Sequence, residues 1–128
     1  MATILVIDDE QGIRDLLDTL LSGKGYDVIL ADSGEKGLEV FRRTRPDVVV
    51  LDLKMPGMGG LTVLQQIRRL NPTQPVIIST GAGTPESEQQ VRELGVTDYV
   101  EKHFSLHLLE DALKRLLISS TPSDLLSR

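Results

Sequence analysis

Short apolar runs alternate with longer amphipathic segments along most of this chain. The short runs are Thr3–Ile7, Asp27–Ala31, 47–51, 75–79 and Asp98–Glu101, most of them rich in Val, Ile and Leu. Such runs, bounded by polar or turn residues, predict strands buried on both faces of a sheet. The segments between them carry helical spacing. In the first, Ile13, Leu16, Leu17, Leu20 and Leu21 fall at i, i+3, i+4, i+7 and i+8, and Gly23 and Gly25 supply the stop. The second opens at Ser33, a good N-cap, and turns Leu38 and Phe41 inward. The third spans Gly60–Leu70 with Leu64 and Ile67 inward, and ends before Pro72. The fourth has Thr84 as N-cap, Pro85 at its first position and Glu86 following. Its apolar content is low, Val91 and Leu94, so it is expected to be the least firmly packed helix. The fifth repeats the strong stripe with Leu109, Ala112, Leu113, Leu116 and Leu117.

Strict alternation of strand and helix predicts an α/β domain with a five-stranded parallel sheet covered by helices on both faces. Right-handed crossovers then place every strand's carboxyl end on one rim. At 128 residues the chain suits one domain with a full core. Residues 1–118 form that domain, and residues 119–128, beginning Ser119-Ser120-Thr121-Pro122-Ser123, have the composition of a linker-like tail. The net charge of −5 speaks against direct nucleic-acid binding, which needs a basic face. Absence of cysteine excludes disulfides and thiolate metal sites. No apolar stretch approaches the roughly 20 residues of a membrane span, so a cytoplasmic protein without a membrane role is expected.

The chemistry gathers on the rim. The first strand runs into Asp8-Asp9-Glu10, the third into Asp52, the fourth into Thr80 and the fifth into Lys102. In open α/β sheets ligands bind beyond the carboxyl ends of the strands. Singly, each residue has a plain explanation: Asp8 or Asp9 as a helix cap, Asp52 as a loop acid, Thr80 as a turn hydroxyl, Lys102 as a solvated cation. Together they form an acidic crevice that one lysine does not neutralise. Oxygen-only donors of this kind call for a hard divalent cation, Mg²⁺ with Mn²⁺ as the alternative. Gly81-Ala82-Gly83 does not open a dinucleotide fingerprint, and no P-loop occurs. His103 and His107 are read as surface histidines.

In these motifs the chain resembles the receiver domain of two-component response regulators. They are Asp8-Asp9, Asp52 within Asp-Leu-Lys-Met-Pro-Gly-Met, Thr80 after Val76-Ile77-Ile78-Ser79, and Lys102 after Asp98-Tyr99-Val100-Glu101. The resemblance covers residues 2–118. It implies a flavodoxin-like, doubly wound (βα)5 fold with strand order 2-1-3-4-5. Asp52 would be the phosphoacceptor, with Thr80 and Lys102 binding phosphoryl oxygens. Asp9 would hold Mg²⁺ directly, Asp8 mostly through water, and Asp52 and the Lys54 main-chain carbonyl would complete the metal site. Thr80 and Tyr99 would form the switch.

By the same resemblance, the phosphoryl donor is a phosphohistidine on a sensor histidine kinase or phosphotransfer protein. The face of the fourth helix, fifth strand and fifth helix would address an effector domain or a second copy. Such a chain is a signalling domain, not an enzyme acting on others, and it catalyses its own phosphorylation and dephosphorylation. Three positions depart from the family pattern. Gly59-Gly60 promises a weak cap and a loose loop before the third helix. Gly81 follows Thr80 where Ala is common. His103 replaces the usual Pro after Lys102, which favours a trans peptide there. Two other readings use the same fold: a docking module independent of phosphorylation, argued against by the filled site positions, and a phosphatase-type hydrolase, which would need a spaced acidic pair after the first strand.

Overall fold

The computed structural model describes residues 2–81, 84–96, 98–101 and 106–119. Five strands and five helices alternate: β1 Thr3–Ile7, α1 Gln11–Gly23, β2 Asp27–Ala31, α2 Gly34–Thr44, β3 Val48–Leu51, α3 Gly60–Leu70, β4 Val76–Thr80, α4 Pro85–Glu93, β5 Asp98–Glu101 and α5 Leu106–Ser119. The sheet is parallel throughout, in the order β2-β1-β3-β4-β5. This is the doubly wound flavodoxin-like architecture expected above.

The period of two along each strand divides the core. Leu5, Ile7, Val49, Leu51 and Ile78 point to one face, where α2, α3 and α4 cover them with Leu38, Phe41, Leu64, Ile67 and Val91. Ile4, Val6, Val48, Val50 and Ile77 point to the other, against Leu17 and Leu21 of α1 and Leu109, Leu113 and Leu117 of α5. A strand covered on both faces has no polar side to show, which is why the sequence runs are continuously apolar.

The caps follow local chemistry. Ser33 Oγ accepts from the Lys36 N–H at 3.2 Å. Thr84 and Ser87 form a reciprocal capping box, with Pro85 in the first turn of α4. In α4 only Val91 is buried, as its thin apolar content foretold.

Two expectations are corrected. Leu16 does not join the core stripe of α1; it is 44% exposed, because Leu17 and Leu21 alone face the sheet squarely while Ile13 and Leu20 are half-buried. The bounds of β3 and β4 shift by one residue. Asp47 instead bonds the Thr3 backbone, and β4 starts after Pro75 and includes Thr80, which lies opposite Glu101. The weak cap expected before α3 is present. Gly59 indeed caps α3 without a side-chain bond, but a Cβ on Gly60 would overlap the Asp52 carbonyl oxygen and meet Leu53 Cα at 2.6 Å. Leu116 and the Lys102–His103 peptide fall outside what is described for side chains and backbone respectively.

Candidate functional site

β1 and β3 are neighbours, and their register pairs Ile7 with Leu51. The next residue on each strand is an aspartate, so Asp8 and Asp52 emerge side by side at the carboxyl rim. Both are 3% exposed. Their backbones still belong to the sheet: the Asp8 N–H donates to Ala31 O at 3.0 Å, and the Asp52 N–H to Ile7 O at 2.9 Å. The fold therefore fixes both main chains before the carboxylates meet.

Glu10 completes the group. Its N–H donates to Asp8 Oδ1 at 2.9 Å, a turn that folds the chain back over the rim. Glu10 is the N-cap of α1 but makes no side-chain cap bond. Carboxylate oxygens of Asp8, Glu10 and Asp52 all lie within 4.8 Å of one another. At that spacing two full charges repel by about 3 kcal/mol at an effective dielectric near 20. Arg14 approaches from α1, but its Nη1 donates to the Asp8 main-chain oxygen at 2.8 Å. On the other side the Lys54 N–H donates to Asp52 Oδ1 at 3.3 Å, which orients that carboxylate.

The remaining expected residues are distributed as follows. Asp9 is exposed at the mouth of the crevice and is outside the three-carboxylate group. Lys54 is exposed, with its main chain against Asp52. Thr80 is buried at the end of β4, beside the equally buried Ser79. Tyr99, on β5, packs on the core beneath α4, and the Arg92 guanidinium stands 5.8 Å from its ring centre. Lys102 lies outside the described residues. Glu10 was not singled out from the sequence, although it is the third member of the acidic triplet.

The model of the response regulator receiver domain matches residues 4–114. The chain belongs to the response regulator receiver domain family. This receiver is 36% identical over 114 residues to sporulation initiation phosphotransferase F of Bacillus subtilis, a match covering 89% of this chain and 92% of that protein. It is 44% identical to a probable transcriptional regulator ycf27 of Porphyridium aerugineum, covering 89% of this chain and 47% of the relative. The chain thus spans about half the length of that relative. Among solved structures, the response regulator TrrA of Thermotoga maritima, in complex with Mg²⁺ and BeF, superposes with a TM-score of 0.82 at 34% identity, covering 91% of this chain and 99% of TrrA. Receiver domains are signalling domains, and the acidic cluster of this receiver is consistent with a phosphorylation site. Among the described residues no helix is long and apolar enough to cross a membrane.

Proposed function

We propose that Asp52 accepts a phosphoryl group from a phosphohistidine on a sensor histidine kinase or phosphotransfer protein in the cytoplasm. The observation that carries this reading is the buried Asp52 carboxylate, held beside Asp8 and Glu10 at the end of a central strand of a receiver fold. The Lys54 N–H donates to Oδ1 and helps to orient the carboxylate, which is the proposed nucleophile. It attacks phosphorus in line, the phosphorus–nitrogen bond opens and the imidazole leaves. Catalysis in such a transfer is positioning and charge stabilisation. The product is an acyl phosphate whose phosphoryl group carries nearly two negative charges, about one more than the carboxylate it replaces.

The carboxylates fit a hard divalent cation, because the donors are all oxygen and carry up to three negative charges within 4.8 Å. Mg²⁺ is the proposed ion, with Mn²⁺ as the alternative, and when bound it would neutralise charge on the transferring group. Asp8, Asp52 and Glu10 are the candidates from geometry; Asp9 and the Lys54 carbonyl are those from family resemblance. Thr80 and Lys102 are proposed to bind phosphoryl oxygens. Thr80 shifting toward the new charge leaves space into which Tyr99 turns, and the face of α4, β5 and α5 is remodelled for an effector domain or a second copy. The single buried residue of α4 suits an element with a small energy gap between two positions.

The test is intact mass after incubation with Mg²⁺ and a small phosphodonor. Wild type is expected to gain about 80 Da, one phosphoryl group. Asp52→Asn is expected to gain nothing while keeping its fold. An adduct that persists in that variant would move the phosphoacceptor elsewhere, and absence of any adduct on wild type would favour a docking role independent of phosphorylation.

A further inference from the structure

On the edge opposite the acidic crevice, a cleft of about 410 Å³ opens between the C-terminal ends of α2 and α3, ahead of the first residues of β3 and β4. Ligand pockets commonly measure roughly 300–1,000 Å³. Phe41 and Pro46 are buried and give the cleft an apolar floor, while Leu70 stands beside it 49% exposed. Gln74, 4% exposed, ties the two sides together. Its Nε2 donates to Pro46 O, in the loop after α2, and to Pro75 O, both at 3.1 Å. The cleft is therefore preformed, and binding there needs little further ordering of this chain.

The charge lining this cleft is of one sign, although the chain as a whole carries −5. Arg42 and Arg45 line it and no acid does; neither arginine takes part in an ion pair among the described residues. The next acid along the chain, Asp47, is engaged with β1, where its Oδ2 accepts the Thr3 N–H at 2.7 Å. Cations in the last turn of α2 complement the helix dipole, which accounts for Arg42 and Arg43. It does not account for an arginine at position 45. Arg45 holds φ at +47°, a left-handed conformation in which glycine or asparagine would close the helix at lower cost. A guanidinium kept at a strained position points to a use for its charge.

The lining selects among occupants. A small anion would meet the two guanidiniums but leave Phe41, Pro46 and Leu70 uncovered. A nucleic acid would find only two cations on a chain of net charge −5. A protein segment with an aliphatic side chain beside carboxylates matches both features. Its aliphatic group packs on Phe41, Pro46 and Leu70, and its carboxylates accept from the planar guanidinium forks. We propose that the cleft between α2 and α3 docks an acidic, aliphatic-bearing segment of a partner protein, at a site separate from the acidic crevice. One aliphatic anchor and two exposed ion pairs give a dissociation constant on the order of mM. That is the strength of a transient contact, which a second interface between the same partners would reinforce through effective concentration.

The test is amide NMR on the full 128-residue chain, with the end-capped peptide Asp-Leu-Asp-Leu as the probe. Saturable shifts are expected at the Phe41 and Leu70 amides and the Gln74 side-chain NH₂, with the Asp8 and Asp52 amides unmoved. The peptide Asn-Leu-Asn-Leu should bind about fivefold more weakly, because two exposed ion pairs are lost. Arg45→Gly should weaken Asp-Leu-Asp-Leu about threefold yet hold or raise the melting temperature, since glycine relaxes the left-handed position. Arg45→Glu should turn the preference toward Lys-Leu-Lys-Leu. Asp52→Asn should bind the probe as wild type does, so this site and phosphoryl transfer fail or stand separately. Equal binding of the acidic and amide peptides overturns the proposal, as does the absence of cleft shifts at about 5 mM probe. Cleft signals that move on dilution of the chain alone overturn it in favour of a second copy. Shifts produced by phosphatidylglycerol vesicles and not by the peptide overturn it in favour of a membrane surface.

Discussion

The Glu10 N–H donates to Asp8 Oδ1 over 2.9 Å, and this turn brings a third carboxylate onto the Asp8–Asp52 pair. The arrangement sets a metal-dependent balance. With repulsion of about 3 kcal/mol per pair before screening and relaxation, neutralising one member should stabilise the metal-free protein by about 1 kcal/mol. Glu10→Gln is expected to raise the melting temperature without Mg²⁺ and to shrink the gain on adding it. For an assumed dissociation constant near 1 mM, roughly 10 mM Mg²⁺ should add about 1.4 kcal/mol to wild type. Asp9→Asn in the same melts separates the two candidate ligands. Loss of the gain in Asp9→Asn alone would assign the ion to Asp9, turned inward from its exposed position.

Gly60 and Gly12 make opposite predictions from the same substitution. A Cβ on Gly60 meets the backbone of Asp52 and Leu53, which cannot yield as a flexible side chain can. Gly60→Ala should cost about 2 kcal/mol or more and slow phosphorylation, because the strain falls on the phosphoacceptor's own carbonyl. Gly12, in the first turn of α1, has nothing within 4 Å of its built Cβ. Gly12→Ala should stabilise by about 0.5 kcal/mol. Denaturant unfolding of both variants, with phosphorylation rates alongside, checks the pair; a neutral Gly60→Ala would show that the loop before α3 yields after all.

Arg68 ties the end of α3 to the end of α4. Its guanidinium donates to Leu94 O at 2.6 Å, Gln74 O at 2.8 Å, Gly95 O at 2.9 Å and, more weakly, Asn71 O at 3.4 Å. Burial lowers its pKa below the ordinary arginine value, but the planar fork keeps its charge. Arg68→Met should cost about 2–3 kcal/mol, since several carbonyls lose a charged donor together. Arg68→Lys should recover little of this, because an ammonium cannot span the same carbonyls. Hydrogen exchange at Leu94 and Gly95 should quicken in both variants. Full recovery in Arg68→Lys would reduce the contact to a simple charge effect.

These cases show which features were legible in the sequence. The strands were, because burial on both faces leaves Val48-Val49-Val50-Leu51 with no polar position. The caps at Ser33 and Thr84 were, because their bonds reach only three residues along the chain. Asp8 and Asp52 were, because strand order alone brings their rim positions together. Glu10 was not, because its place depends on one turn bond, not on a period. Leu16 reads as core by spacing but lies beside the strip that the sheet covers. Arg68 left no signature at all: its partners are main-chain carbonyls, two of them 26 and 27 residues away, and any residue type supplies a carbonyl.

Arg92 on α4 pairs with Glu88 at 2.9 Å and stands over the Tyr99 ring, so it ties helix and aromatic in the present arrangement. An exposed cation–π contact contributes about 0.5–1 kcal/mol, and an exposed ion pair less. A bias of about 1 kcal/mol changes a two-state ratio about fivefold. Arg92→Ala should therefore loosen the hold of α4 on Tyr99 and quicken hydrogen exchange across α4 even without a phosphoryl group. Thr80→Ala should do the reverse: it should still accept phosphate on Asp52, because the hydroxyl is not the nucleophile, yet transmit little of it. Hydrogen exchange of α4, β5 and α5 with and without beryllofluoride compares the two variants with wild type. If Thr80→Ala responds to beryllofluoride as fully as wild type, the signal reaches α4 by a route that does not pass through Thr80 and Tyr99.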